Sequence, residues 1–284
     1  MFEKTLLSQK VIVVTGGGTG LGKSMATRFG ELGAKLVLTS RKEENLRTAA
    51  REIEAKTGAQ VLVVPCDVRN YDDVEKMIQG TVERFGSVDC LVNNAAGNFL
   101  AATEDLSPRG FDAVVKIVLN GTFHATVAAG KQMIAQKTGG NILSIVTTYA
   151  WTGSAFVIPS AVAKAGVLAL MRSLAVEWAE YKIRCNAIAP GPFPTEGAWA
   201  ALMPGTGAEE QARARIPARR FGEHHELANL ASYLLADGSA YVTGACYTID
   251  GGEWLANGGS FNQLAVHDRT AVKQLLAAMK PKRS

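Results

Sequence analysis

The sequence predicts a single doubly wound α/β domain, a parallel sheet with helices on both faces. Three features carry that expectation. Short apolar runs alternate with amphipathic stretches along most of the chain. The runs lack polar alternation, as strands buried on both faces do. A glycine-rich turn joins the first run to the first helical stretch.

The elements follow in order. Residues 11–15 form a first strand and 21–32 the helix after it. Residues 35–39 form a second strand, followed by a charged helix over about 43–56. A third strand at 61–65 leads to a helix over about 71–85, and 88–92 is a fourth strand. A long helical stretch around 111–135 precedes a fifth strand at 141–146. The helix at 161–181 precedes a sixth strand at 184–188, and a Pro/Gly-rich loop opens at Pro190. A helix at 225–236 and a last strand at 246–249 complete the pattern before Asp250-Gly251-Gly252, and 270–279 is a short terminal helix. No repeat or composition shift divides the chain. Residues 1–284 therefore read as one domain, with a core of about 10–252 and a C-terminal extension at 253–284.

Composition narrows the function. A hydrophobic fraction of 47% supports a large buried core. A net charge of +4 suits an anionic small molecule and falls far short of a nucleic-acid-binding balance. The tail Lys280-Pro281-Lys282-Arg283 reads as solvated. Cys66, Cys90, Cys185 and Cys246 form no CxxC pair and read as reduced core thiols, without a metal or disulfide framework. The first ten residues carry neither signal-peptide nor transit-peptide character, and no uninterrupted apolar run reaches the ~18 residues of a membrane span. A cytoplasmic setting without membrane insertion is expected.

The first strand runs into Thr15-Gly16-Gly17-Gly18-Thr19-Gly20-Leu21-Gly22. Glycines let the backbone turn tightly and approach a ligand that a Cβ would exclude. The helix behind them directs free N–H groups and the positive end of its dipole at a phosphate. The second strand ends in Thr39-Ser40-Arg41-Lys42. A dinucleotide with a free ribose 2′-OH is held by an acidic residue at this point, whereas Arg41 suits a 2′-phosphate, so NADPH is the expected cofactor. Arg41 and Lys42 would also serve as the solvated opening of a helix. At the third strand end, Asp67 before Val68 accepts from an adenine amino group or caps the turn. At the fourth, Asn93-Asn94-Ala95-Ala96-Gly97 leaves room for a flat ligand, although its asparagines would also satisfy loop backbone groups.

Together these motifs, with Pro190-Gly191-Pro192 after the sixth strand, resemble the short-chain dehydrogenase/reductase family over about residues 10–252. The resemblance implies a Rossmann-like sheet, a nicotinamide cofactor and commonly a homotetramer. The family places a tyrosine four residues before Lys164, and here that position is Ser160. A serine hydroxyl is a poorer acid than phenol for reducing an ordinary ketone. Tyr149, after the fifth strand, is the replacement. Asn98-Phe99, Val118-Leu119-Asn120-Gly121-Thr122, Tyr149 and Ser160-xxx-Lys164 resemble the 2,4-dienoyl-CoA reductase subgroup. Further matches are Thr195-Glu196-Gly197-Ala198, Ala228-Asn229-Leu230-Ala231 and Phe261-Asn262.

The resemblance implies conjugate hydride addition to a 2,4-dienoyl-CoA in unsaturated fatty-acid β-oxidation. Tyr149 and Asn98 would stabilise the dienolate oxygen, Lys164 would hold the nicotinamide ribose, and Ser160 would position the ring or Lys164. Asn120, in a helix break, would support Lys164 through its backbone or a water. Gly16 to Leu21, Ser40, Arg41, Asp67, Val68, Asn94, Pro190, Gly191, Pro192 and Phe193 would bind the cofactor. Phe99 and Ser107 would line the acyl-CoA path, and Arg69 would meet a CoA phosphate. Relatives carry an arginine where this chain has Ala201, for which Arg213, Arg215, Arg219 or Arg220 would substitute. Simpler roles compete: Tyr149 as a packed tyrosine, Asn98 as a loop brace, Ser160 as a helix N-cap after Pro159. His224 and His225 read as a helix start without a third metal partner. The stripe Val162, Leu168, Met171, Leu174, Trp178 reads as core or subunit interface. The competing functions are a 2-enoyl-CoA or carbonyl reductase of the same fold and a non-catalytic NADPH-binding scaffold.

Overall fold

A computed structural model describes residues 2–195 and 208–279. The apolar runs assemble into a seven-stranded parallel sheet of order β3-β2-β1-β4-β5-β6-β7. The strands are β1 (Val11–Thr15), β2 (Lys35–Ser40), β3 (Val61–Pro65), β4 (Cys90–Asn93), β5 (Gly140–Ile145), β6 (Ile183–Pro190) and β7 (Cys246–Ile249). Every residue of β1 and β4 is buried, as their uninterrupted apolar character requires. The order reverses between β1 and β4, so their crossovers leave in opposite directions and a crevice opens above their C-terminal ends.

The helices are α1 (Gly20–Glu31), α2 (Glu43–Thr57), α3 (Tyr71–Phe85), α4 (Pro108–Val115), α5 (Gly121–Gln136), α6 (Tyr149–Thr152), α7 (Ile158–Glu177), α8 (Ala208–Arg215), α9 (His224–Leu235), α10 (Glu253–Ala256) and α11 (Arg269–Ala278). One face of the sheet packs on α1, α2 and α9 through Met25, Phe29, Leu46, Ile53, Leu227 and Leu234. The other packs on α3, α5 and α7 through Val74, Met77, Ala125, Met133, Met171 and Leu174. Glu223 caps α9 in a reciprocal arrangement with Glu226, which fixes where that helix starts.

Several expected boundaries shift for identifiable reasons. The helix expected from 111 begins at Pro108, because Ser107 caps it and proline suits its first turn. The expected break at Leu119-Asn120-Gly121 is a π-helical turn over Lys116–Asn120, and the helical path continues through it into α5. α7 begins at Ile158 and ends at Glu177, where a 3-10 turn over Ala179–Tyr181 takes over. β4 starts two residues later than expected, at Cys90, and β6 runs on to Pro190 because β7 pairs with it up to Ile249.

The spans Pro108–Gln136 and Ile158–Glu177 reach mean hydropathies of 1.2 and 1.3, enough by length and composition to cross a membrane, which the sequence reading did not anticipate. Half of each span is buried against the rest of the fold. In the stripe on α7, Leu168, Met171, Leu174 and the following Trp178 are core, whereas Val162 is exposed. All four cysteines are free, and burial pushes their thiols up to about 11 for Cys66 and Cys246 and about 12 for Cys90 and Cys185.

Candidate active site

The crevice holds a cavity of about 1060 Å³ whose wall includes Leu21, Asn94, Asn98, Tyr149, Ser160, Lys164 and the Pro190–Phe193 turn. Its floor is fixed by hydrogen bonds between β1 and β4. Thr15 Oγ1 donates to the Val92 carbonyl (3.3 Å) and accepts from the Asn94 and Ala95 amides (3.0 Å each). Asn94 Nδ2 donates to the Thr15 and Gly16 carbonyls at 3.1 and 3.3 Å. Gly16 is left-handed at φ +67°, and a Cβ there would lie 2.9 Å from Asn94 Nδ2. The turn thus needs glycine for both conformation and space.

The N-terminus of α1 fits a nucleotide phosphate. Thr19 supplies no side-chain cap, and the first turn holds no acidic residue. Its amides therefore keep donor capacity and a positive end toward the crevice. A buried hydroxyl, Thr147 Oγ1, also lacks a hydrogen-bond partner while lining the cavity. At the β2 end, Ser40 is half-buried and Arg41 is exposed, and Arg41 enters no ion pair among the described residues.

The central cluster spans α6 and α7. The Tyr149 hydroxyl lies 3.0 Å from Ser160 Oγ. Ser160 is the third residue of α7, whose N-cap is Val157, so the N-cap alternative for Ser160 is overturned and its hydroxyl faces the phenol. Lys164 stands one turn further on the same helix and donates to the Ile145 carbonyl at the end of β5. It is 6% exposed, and burial alone lowers its pKa to about 8. Asn98 Oδ1 accepts from the Phe99 amide at 2.9 Å, which leaves the side-chain NH2 without a partner among the described residues. Asn98 thus both braces its loop and lines the cavity.

Other expected residues stand elsewhere. Asn120 is exposed in the π turn, and Lys164 donates directly to the Ile145 carbonyl. Arg69 is paired with Asp67, donating from Nε at 2.9 and 3.0 Å, and this holds the Asp67 carboxyl below its ordinary range. Asp67 therefore closes its turn through Arg69, and Val68 is buried with its carbonyl 2.9 Å from His124 Nδ1. Ser107 accepts from the Gly110 amide as the α4 cap, and Phe99 packs beside it over Gly110. Neither is among the residues that line the cavity. Among the arginines weighed for coenzyme A, Arg220 pairs with Glu226, Arg219 donates to the Ala214 and Ala265 carbonyls, and Arg213 lies over the Phe221 ring. Ala201, Glu196, Gly197, Ala198 and the Lys280–Arg283 tail lie outside the described residues. His224 opens α9, its ring nitrogens 2.8 Å from Ser24 Oγ and 2.7 Å from the Pro194 carbonyl.

The cavity also gains a wall that the sequence reading missed: Glu253, Trp254, Leu255, Asn257 and Gly258. Trp254 meets Trp151 edge to face at 5.5 Å, joining the C-terminal extension to the helix that carries Tyr149. The available signal was the position of these residues, just past the C-terminal edge of β7.

Comparison with known proteins agrees with this geometry. A family model described as Enoyl-(Acyl carrier protein) reductase matches residues 16–253. A Bacillus subtilis protein named probable 2,4-dienoyl-CoA reductase, (2E)-enoyl-CoA-producing, is 45% identical over 88% of this chain and 98% of its own length. An Arabidopsis thaliana peroxisomal 2,4-dienoyl-CoA reductase, (3E)-enoyl-CoA-producing, is 37% identical over 98% of this chain and 93% of its own. The crystal structure of a Bacillus anthracis short-chain dehydrogenase superposes with a TM-score of 0.79 at 48% identity, covering 86% of this chain and 96% of that one. The crevice at the sheet reversal, the uncapped α1 turn and these relatives together place the chain in the short-chain dehydrogenase/reductase family of nicotinamide-dependent oxidoreductases.

Proposed function

We propose that the protein reduces 2,4-dienoyl-CoA thioesters to 3-enoyl-CoA with NADPH, as a step in the oxidation of unsaturated fatty acids. The observation that carries this reading is the Tyr149 phenol 3.0 Å from Ser160 Oγ, on the same cavity as Asn98 and Lys164. The phenol reaches the helix position that ordinary ketone reduction would need, but from a neighbouring element.

Bound in the crevice, reduced nicotinamide would supply the hydride, which would add at C5. Charge then develops on the thioester oxygen, five bonds from the point of addition. Tyr149 Oη and the free Asn98 NH2 would donate to that oxygen, and donors fixed before the reaction stabilise developing charge most effectively. Ser160 would hold the phenol in orientation. Lys164 would hold the nicotinamide ribose and, while protonated, raise the local potential. Arg41 would meet the 2′-phosphate. A coenzyme A thioester fits as substrate because the names of these relatives specify one.

The test mixes purified protein with NADPH and 2,4-hexadienoyl-CoA, following cofactor and diene absorbance, with product position read by NMR. Turnover of the dienoyl thioester, and none of the 2-enoyl thioester, is expected. Turnover of the 2-enoyl thioester alone would overturn the reading.

A further inference from the structure

Conjugate reduction of a dienoyl thioester is complete only when a carbon of the dienolate takes a proton. Tyr149 and Asn98 are assigned to oxygen, and Lys164 donates to the Ile145 carbonyl. Among the described residues of the cavity wall, three side chains carry an acidic or basic group: Tyr149, Lys164 and Glu253. Glu253 is the one carboxyl group in that set.

Glu253 opens α10 immediately after the Asp250-Gly251-Gly252 turn, and the β6–β7 pairing carries this turn against Gly191. Its Oε2 lies 3.4 Å from where a Cβ on Gly191 would stand, so the carboxyl borders the Pro190-Gly191-Pro192 wall. The carboxyl forms no hydrogen bond or ion pair with a described residue. The Asp250 carboxylate beside it is occupied, accepting from the Gly252 and Trp254 amides at 2.9 and 2.7 Å. The other charge facing it is Arg215 at the end of α8. Burial first, and Asp250 second, hold the Glu253 carboxyl above its ordinary range against the opposing pull of Arg215, so its acid form persists to higher pH.

We propose that Glu253 is a catalytic residue, the acid that protonates C2 of the dienolate; this rests on the dienoyl-CoA reading above. The hydride, drawn from a reduced nicotinamide, forms the C5–H bond, and the π pairs shift to C3–C4 and C1–C2 with charge on oxygen. The O–H bond of Glu253 then breaks as the C1–C2 pair forms the C2–H bond and the thioester carbonyl is restored. A 3-enoyl thioester and a Glu253 carboxylate result, and solvent returns the proton to the carboxylate.

Glu253→Gln keeps size without acidity, and Glu253→Ala leaves room for a small external acid. Both should lower kcat by at least about 10-fold. Their KM and NADPH affinity, the latter read by fluorescence, should stay within about twofold of the parent. In the parent, kcat should fall as pH rises through the raised Glu253 pKa, and Glu253→Gln should lack that limb. Formate should restore turnover to Glu253→Ala but not to Glu253→Gln. Parent-like kcat in Glu253→Gln, with active parent enzyme, would overturn the Glu253 assignment alone. A parent inactive on dienoyl-CoA would overturn the reading beneath it and the assignment together.

Discussion

Lys164 shows how one buried charge ties stability to activity. It is 6% exposed, and burial lowers its pKa to about 8 from an ordinary value of 10.5. The unfolded chain therefore binds one more proton than the native chain between those values, and stability from this group rises with pH across that window. Its contribution is lost as pH falls through about 8, where the native state must accept the buried charge. In the role proposed for Lys164 function runs the other way, because a neutral lysine no longer attracts a phosphorylated cofactor. NADPH affinity, followed by fluorescence titration, should weaken as pH rises through about 8 in the parent. In Lys164→Met that limb should disappear. An identical pH profile in the variant would remove Lys164 from cofactor binding. The three side chains Tyr149, Ser160 and Lys164 were legible in the sequence because two lie one helical turn apart and the third lies eleven residues back, across a short loop. The pairing of Arg69 with Asp67 was not, since each residue alone suited a ligand role and their geometry decides between partners.

At the level of elements, α5 approaches the loop after β3 so closely that its first residue must lack a side chain. A Cβ on Gly121 would stand 2.5 Å from Val68 Cγ2, and Val68 is buried. Gly121→Ala should cost about 1–3 kcal/mol by urea denaturation, the usual range for overpacking. A cost near zero would mean that the π turn absorbs the added methyl group. The order and type of the elements followed from apolar runs and glycine turns, because strands buried on both faces leave little ambiguity. Helix starts were less legible: Ser107-Pro108 and Val157-Ile158-Pro159 open α4 and α7 about one turn before the apolar periodicity becomes regular. The wall at Glu253–Leu255 was hidden for a different reason. It depends on the register Pro190↔Ile249 between β6 and β7, which no local pattern encodes.

At the scale of the whole molecule, the sheet reversal between β1 and β4 makes nucleotide binding a property of the entire fold. The α1 turn, the β2 end, the β4 exit and the Pro190–Phe193 turn meet at one edge of the sheet. A ligand that bridges them stabilises the native chain by mass action, about 2.7 kcal/mol at a hundred times Kd. NADPH should therefore raise Tm by several degrees, and NADH by less at equal concentration. Arg41→Ala should erase the difference between the two cofactors, read by thermal denaturation. Equal shifts with the parent protein would refute the role given to Arg41. The mixed product names of the relatives, (2E) for one and (3E) for another, show that family membership leaves the protonated carbon undetermined.

The central claim is that a phenol on α6 stabilises the thioester oxygen in place of one on α7. Tyr149→Phe tests it most directly, with kcat measured on 2,4-hexadienoyl-CoA at saturating NADPH. The variant retains the ring and loses one donor, so kcat should fall at least ~10-fold while NADPH affinity is unchanged. Turnover equal to that of the parent would contradict the account.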